Sequence, residues 1–346
     1  MQDNQSRYIG IDLGHKTFKA HVLDANGKEV AAFEGSLTTG RIKKQLLAKL
    51  QASDQICIES GTLSFWFKQL LENTVHCQVY ILNSNSVRLI YDSLKKTDKE
   101  DAAKLAWLLY SFPKENLPLV HTPTENQERL RKLATERRRL VNYLGAEKSR
   151  FYNLCIQSGY TSITKKDLRN SGNMENHIDK IAAIHRSSAL RIIALVKSFE
   201  ELLEAIDQES ALALQAHEGM KKLYTSMPGI GDVTALALIA YMGDFRRFTR
   251  AEQVSLYCGL VPRVDNSGKS IRHGHLVQKC NKHLRALLIQ AAWALVRSRN
   301  GGPLQAYFQR ASLTLGRKRA IVATARKMIE TLFAMSKSGE FYRLAA

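Results

Sequence analysis

Along the first third of the chain, apolar positions recur first with the period of strands and then with the spacing of helices. Apolar runs predict strands at Tyr8–Asp12, Thr17–Leu23 and Glu29–Phe33, with a turn at Asp24-Ala25-Asn26-Gly27 between the last two. There follow a helical pattern near Ile42–Leu50, a strand at Gln55–Glu59, a helix near Phe65–Glu72, a strand at Gln78–Leu82 and two helical stretches to Tyr110. The order βββαβαβα predicts an α/β unit, in which a three-strand meander extends into a mixed sheet covered by helices.

Pro113 and Pro118 interrupt the pattern, and Thr124 with Gln127 forms a candidate capping box. A domain boundary is therefore expected near residue 120. Beyond it, Leu130, Leu133, Leu140, Leu144, Phe151 and Leu154 follow alternating steps of three and four residues, with Arg137 interrupting the seam. Ile192, Leu195, Phe199, Leu202 and Ile206 form a matching seam after the polar stretch Ser158–Asn176. Such spacing favours helix pairing, and predicts an antiparallel coiled-coil hairpin over residues 121–218. Residues 219–346 read as a compact, mainly α unit, with helical patterns at Val233–Met242, Leu284–Arg297 and Ala320–Met335 and a break at Gly301-Gly302-Pro303.

Charge narrows the range of partners. The 346 residues carry a formal net charge of +19, an excess that answers a polyanion, either nucleic acid or an acidic membrane surface. Residues 1–120 hold 15 Lys+Arg and 13 Asp+Glu, so almost the whole excess lies in residues 121–346. No apolar run approaches the roughly 18 residues of a membrane span, and the polar start Met1-Gln2-Asp3-Asn4-Gln5 lacks a signal-peptide core. A cytoplasmic protein without a membrane partner is expected. Five scattered cysteines without a CxxC argue against a disulfide framework or a zinc ribbon and predict buried free thiols.

Four acids stand where chemistry is possible. Asp12 ends the first strand within Gly10-Ile11-Asp12-Leu13-Gly14, Glu59 closes the strand Ile56-Cys57-Ile58-Glu59, and Asp98 and Asp101 share a helical face at spacing i, i+3. Converging carboxylates repel one another unless divalent cations neutralise them, which makes Mg²⁺ the expected cofactor. Two such ions roughly 3.5–4 Å apart can activate a nucleophile and stabilise the leaving oxygen of a phosphodiester. Singly, each acid also reads as a surface carboxylate or helix cap. An Asp before Gly on a first strand also occurs in actin-like and sugar-kinase ATPases, although no second Asp-x-Gly phosphate motif accompanies it here.

In the last third, Pro228-Gly229-Ile230-Gly231 precedes a helix, so that backbone N–H groups around Gly229 and Gly231 could meet phosphate as in a helix-hairpin-helix contact. A plain helix-start turn is the alternative. The basic run Arg129, Arg131, Lys132, Arg137, Arg138, Arg139 reads equally as a solvated face and as a backbone clamp. Arg263, Lys269 and Arg272 surround Ser267-Gly268 in what reads as a flexible loop; from the residues alone, Ser267 is an ordinary loop serine. His273, His275, Cys280 and His283 do not have the spacing of a zinc finger.

Together, Gly10-Ile11-Asp12, Ile58-Glu59-Ser60-Gly61, Lys96-Thr97-Asp98 with Asp101-Ala102, Pro228-Gly229-Ile230-Gly231, and Gly259-Leu260-Val261-Pro262 with Ser267-Gly268 resemble the insertion-sequence-110 transposases and the related Piv DNA invertases. The resemblance spans nearly the whole chain. It implies a RuvC-like, ribonuclease H-fold domain with an Asp-Glu-Asp-Asp quartet, a coiled-coil insertion and a C-terminal transposase domain. On that likeness Asp12, Glu59, Asp98 and Asp101 bind metal, and Ser267 is a nucleophile that links covalently to DNA. It further implies donor and target DNA as partners, a structured bridge RNA as guide, and a dimer or tetramer. The chain departs from the family in reading Glu59-Ser60-Gly61-Thr62 where Glu-(Ser/Ala)-Thr-Gly is frequent, and Lys279-Cys280-Asn281 where a glycine is usual. A junction-resolving nuclease using water, and a non-catalytic nucleic-acid scaffold, are the competing readings.

Overall fold

The computed structural model describes residues 6–84, 86–87, 98–267 and 270–344. The chain forms two compact units, Met1–Pro123 and Thr124–Ala346.

The first unit is built on a five-stranded sheet in the order β3-β2-β1-β4-β5, comprising β1 (Tyr8–Leu13), β2 (Thr17–Leu23), β3 (Glu29–Ser36), β4 (Gln55–Glu59) and β5 (Gln78–Leu82). The meander β1-β2-β3 is antiparallel, whereas β4 runs parallel to both β1 and β5. Both faces of the middle strands are covered. Ile9, Ile11, Ile56, Ile58, Val79 and Ile81 join α1 (Thr39–Gln45) and α2 (Ser64–Thr74) in one core. The alternate residues Tyr8, Cys57 and Tyr80 meet Leu105, Leu108 and Leu109 of α3 (Asp98–Ser111) in another. Covering both faces turns β4 into the unbroken apolar run Ile56-Cys57-Ile58, as expected of a central strand in a helix-flanked sheet.

Gly10 sets how closely α3 approaches. A Cβ there would lie 2.0 Å from the Ala102 carbonyl oxygen and 2.4 Å from the Ala106 nitrogen, so only glycine lets the helix backbone rest on β1. At the other end of the contact Tyr8 packs edge-on against Tyr110, with ring centroids 5.5 Å apart. Tyr8 thus pairs with the last turn of α3 and Gly10 with its middle. The helix runs antiparallel to β1, and its first turn lies toward the strand end that carries Asp12.

The second unit opens with two 33-residue helices, α4 (Glu125–Gln157) and α6 (Ala183–Gln215), separated by the short α5 (Ser171–Glu175). The capping box at the start of α4 is present: Gln127 N donates to Thr124 Oγ1, and Thr124 N donates to Gln127 Oε1, both at 3.2 Å. The helices pair antiparallel, through Arg129–Glu209 at 3.0 Å, Arg137–Asp207 at 2.6 Å and Lys148–Glu200 at 3.4 Å. The seam expected on α6 is partly corrected. Leu195 and Leu202 are exposed, while Ile192, Ile193 and Val196 are buried, so the packed face is rotated from the heptad phase read in the sequence. Burial is concentrated at the two ends of the pair. One end joins a cluster with Ile163, Met174 and Ile181, and the other joins the core of the unit.

That core surrounds α8 (Asp232–Met242), whose residues from Thr234 to Ala240 are all buried, as expected for a helix apolar on every side. Packed with it in this core are α7 (Glu218–Thr225), α9 (Ala251–Tyr257), α10 (Lys282–Arg297), α11 (Gly302–Leu315) and α12 (Arg317–Ser338). The segment expected to be a flexible loop is instead an antiparallel hairpin, β6 (Pro262–Ser267) with β7 (Ser270–Leu276). Val264 opposite His273 and Asn266 opposite Ile271 provide paired strand residues that the surrounding Asp, Ser, Gly and Lys had obscured.

Candidate active site

Asp12 and Glu59 come together at one edge of the sheet. Parallel pairing aligns Ile11 with Ile58, which sets Asp12 and Glu59 one step further, on adjacent strands. Both line a cleft of about 190 Å³, with His15, Ser60, Thr62 and Ser64. The turn after Glu59 is held on two sides. Ser60 N donates to the Leu82 carbonyl at 2.8 Å, and the Ser60 hydroxyl lies 3.0 Å from that of Ser84. The buried Ser64 hydroxyl donates to the Gly61 carbonyl at 2.8 Å. On the other side, Gly14 N donates to Thr17 O at 2.9 Å, closing the β1–β2 turn beside Asp12.

Asp101 lies in the first turn of α3, partly buried, 3.2 Å from Lys104 Nζ. Asp98 begins the same helix; its side chain, with residues Lys96 and Thr97, lies outside the described residues. Among the described residues no three His, Cys, Asp or Glu side chains form a metal-holding group. The cleft itself therefore unites two of the four expected acids. His15, Thr62 and Ser64 were missed in the sequence; the tight Gly14 turn and the turn following Glu59 were the signals that could have located them.

In the second unit Ser267 is the last residue of β6, paired across the hairpin with Ser270. Its side chain and that of Arg272 lie outside the described residues, as do Gly268 and Lys269 altogether. Arg263 is exposed on β6. Gly231 is the exposed N-cap of α8, with open space around its Cα. Gly229 has φ +87°, and a Cβ there would meet the Ala291 carbonyl oxygen at 2.2 Å, so close packing on α10 already demands glycine at that position.

The basic run divides by partner. Arg129 pairs with Glu209, and Lys132 lies 3.5 Å from Glu128. Arg131 turns inward, donating from Nε to the Ala240 carbonyl at 2.9 Å with its guanidinium over Tyr241, and burial holds its pKa below the usual arginine value. Arg138 is exposed and has no carboxylate partner among the described residues. Of the cysteines, Cys57 and Cys258 are fully buried thiols whose burial pushes their pKa values far up, and Cys280 contacts the guanidinium of Arg285.

Two sequence families match this chain. A DEDD transposase family of the IS110 group covers residues 9–156, and the transposase IS116/IS110/IS902 family covers residues 221–309. The chain belongs to the IS110 family of transposases. Among its relatives is the transposase for insertion sequence element IS1111A of Coxiella burnetii, 26% identical over 98% of this chain and 92% of that protein. A probable family 20 transposase of Pseudomonas aeruginosa is 24% identical over 85% of each chain. The pilin gene-inverting protein of Moraxella lacunata is 26% identical over 95% of each. This IS110-family chain is thus a DNA-processing enzyme of the transposase and recombinase kind. Among its described residues no helix is long and apolar enough to cross a membrane.

Proposed function

We propose that this transposase cuts and rejoins DNA strands of an insertion sequence with two sets of residues, an Asp12-Glu59-Asp98-Asp101 metal site on a RuvC-like sheet domain and the Ser267 nucleophile. The observation that carries the reading is the Asp12–Glu59 cleft, with the first turn of α3 directed to the same end of β1. Two carboxylates on neighbouring strand ends bring like charges together, and their hard oxygens suit Mg²⁺. A bound Mg²⁺ would supply Lewis-acid polarisation of a phosphate oxygen.

The remaining chemistry falls to the chain. The Ser60–Ser84 and Ser64–Gly61 hydrogen bonds orient the turn that carries Glu59. At the hairpin, the Ser267 hydroxyl oxygen forms a bond to phosphorus while a phosphorus–sugar oxygen bond breaks. The serine proton is lost and the sugar oxygen leaves as a hydroxyl. A sugar hydroxyl of the second strand then reverses the step, so the phosphoserine ester conserves the phosphodiester bond between cleavage and rejoining. The finer partners belong to the same reading: donor and target DNA, a structured bridge RNA as guide, and a homo-oligomer whose helical hairpin forms a coiled coil. Exposed Val141, Tyr152 and Ile156 on α4 and Leu195 and Leu202 on α6 support self-association along that hairpin.

Sequencing of new DNA junctions in cells carrying the gene with its native flanking DNA tests the reading. Asp12→Ala and Ser267→Ala should each abolish precise junctions while the proteins still fold and bind nucleic acid. Junctions that survive Ser267→Ala, together with a failure to trap covalent protein–DNA, would replace the serine by water and make the enzyme a metal-dependent nuclease.

A further inference from the structure

A cleft of about 400 Å³ in the second unit lies between α4, α8 and α10 and is remote in sequence from every acid of the proposed metal site. Its rim carries the exposed Arg138, Asn142 and Gln290 with the half-buried Arg137 and His283, its floor includes the buried Ala134 and Leu236, and none of its lining residues is a carboxylate. Arg137 is braced from outside the lining, its Nε and one Nη donating to Asp207 at 2.6 and 3.2 Å. Arg138 has no such carboxylate among the described residues. The cleft is left with a positive charge that its own walls do not balance.

His283 reports that field. Burial lowers its pKa to about 4, with Arg138 and Arg137 adding to the effect, while the Tyr241 ring packs edge-on against it at 6.0 Å. At neutral pH the ring is therefore uncharged and offers one N–H donor and one acceptor. Cationic and neutral donors around the rim, above an apolar floor, match a group that is anionic on one side and apolar on the other. A sugar–phosphate unit has that chemistry; a bare anion would leave the floor unused, and an apolar ligand would leave the arginines unanswered.

We propose that this cleft seats one phosphodiester of a nucleic-acid strand, with Arg138 and the braced Arg137 on the phosphate and the sugar against the Leu236 floor. The inference rests on the reading of the chain as a nucleic-acid enzyme, and it adds a contact that neither the acids nor the Ser267 hairpin supplies.

Fluorescence anisotropy with labelled single-stranded DNA, single-stranded RNA and duplex DNA of one sequence tests it on the full chain. Arg138→Gln removes an exposed cation, and Gln290→Glu adds an anion at an exposed rim position, so neither disturbs packing. Each should weaken binding about five- to tenfold, and Arg138→Gln should lower the salt slope by about one phosphate contact. Lys197→Gln, which removes an equal charge from the exposed side of α6, should change binding less than about twofold, since a distant cation makes no phosphate contact. The probe whose affinity falls most identifies the strand, DNA or RNA, that occupies the cleft. In parallel, the same oligonucleotide should raise the pKa of the His283 ring, followed by its NMR resonances, because a phosphate reverses the field of the two arginines.

Binding by the unaltered protein with no difference between Arg138→Gln and Lys197→Gln, or an unchanged His283 titration, would overturn the cleft and leave the enzyme reading standing. Absence of binding to any of the probes would overturn both.

Discussion

The contact at Gly10 leaves no room for a methyl group, because the atoms it would strike are the Ala102 and Ala106 backbone of α3 rather than the movable end of a side chain. Gly10→Ala should therefore push the helix away from β1 and destabilise the first unit by about 1–3 kcal/mol. Urea unfolding measures this, and an unchanged midpoint would show that α3 shifts freely. The same substitution should reduce DNA rejoining more than stability alone explains, since the helix that moves carries Asp98 and Asp101. Asp12 and Glu59 were legible as candidates because each ends an apolar strand. The need for Gly10 was not, since the Ala102–Ala106 backbone comes to it from more than ninety positions along the chain.

At the scale of elements, the helical hairpin shows where periodicity runs short. Both long helices and the capping box at Thr124 were legible, since caps and apolar repeats are local. The packed face of α6 was not, because Leu195 and Leu202 satisfy a heptad as well as the residues that are buried. Leu195→Glu with Leu202→Glu should leave the thermal midpoint of the fold within about 2 °C, as expected for exposed positions. Light scattering should at the same time show a smaller oligomer. An unchanged mass would remove this face from self-association, and a large loss of stability would place the leucines in the fold after all. The β6–β7 hairpin was missed for a different reason. Its polar, glycine-containing tip reads as a loop, whereas in the fold the backbone pairs Val264 with His273 and Asn266 with Ile271.

For the whole molecule the decisive quantity is charge. The excess of +19 lies almost wholly outside residues 1–120, so the second unit should dominate binding to a polyanion. If six to ten phosphates are contacted, affinity should fall about 10³–10⁵-fold between roughly 50 and 200 mM salt. A flat response across that range would remove the electrostatic basis of the partner assignment. The internal pairs of Arg129 and Lys132 reduce the number of cations free to contribute, so the slope should be smaller than the net charge alone suggests.

The amino-acid sequence by itself determined the order of strands and helices in the first unit, the basic excess that answers a polyanion, the family and the candidate acids. These follow from local periodicity, from summed charge and from short motifs, none of which requires knowledge of distant neighbours. Tertiary structure alone decided that Asp12 and Glu59 share a cleft, that Gly229 serves the packing of α10, and that Arg131 turns inward while Arg138 remains on an open rim. It also assembled the Arg138–His283 cleft from helices about 150 residues apart in the chain. The physical reason is common to all of them. A side chain's charge and shape are written in the sequence, but its neighbours, and hence its desolvation and its field, exist only once remote segments pack together.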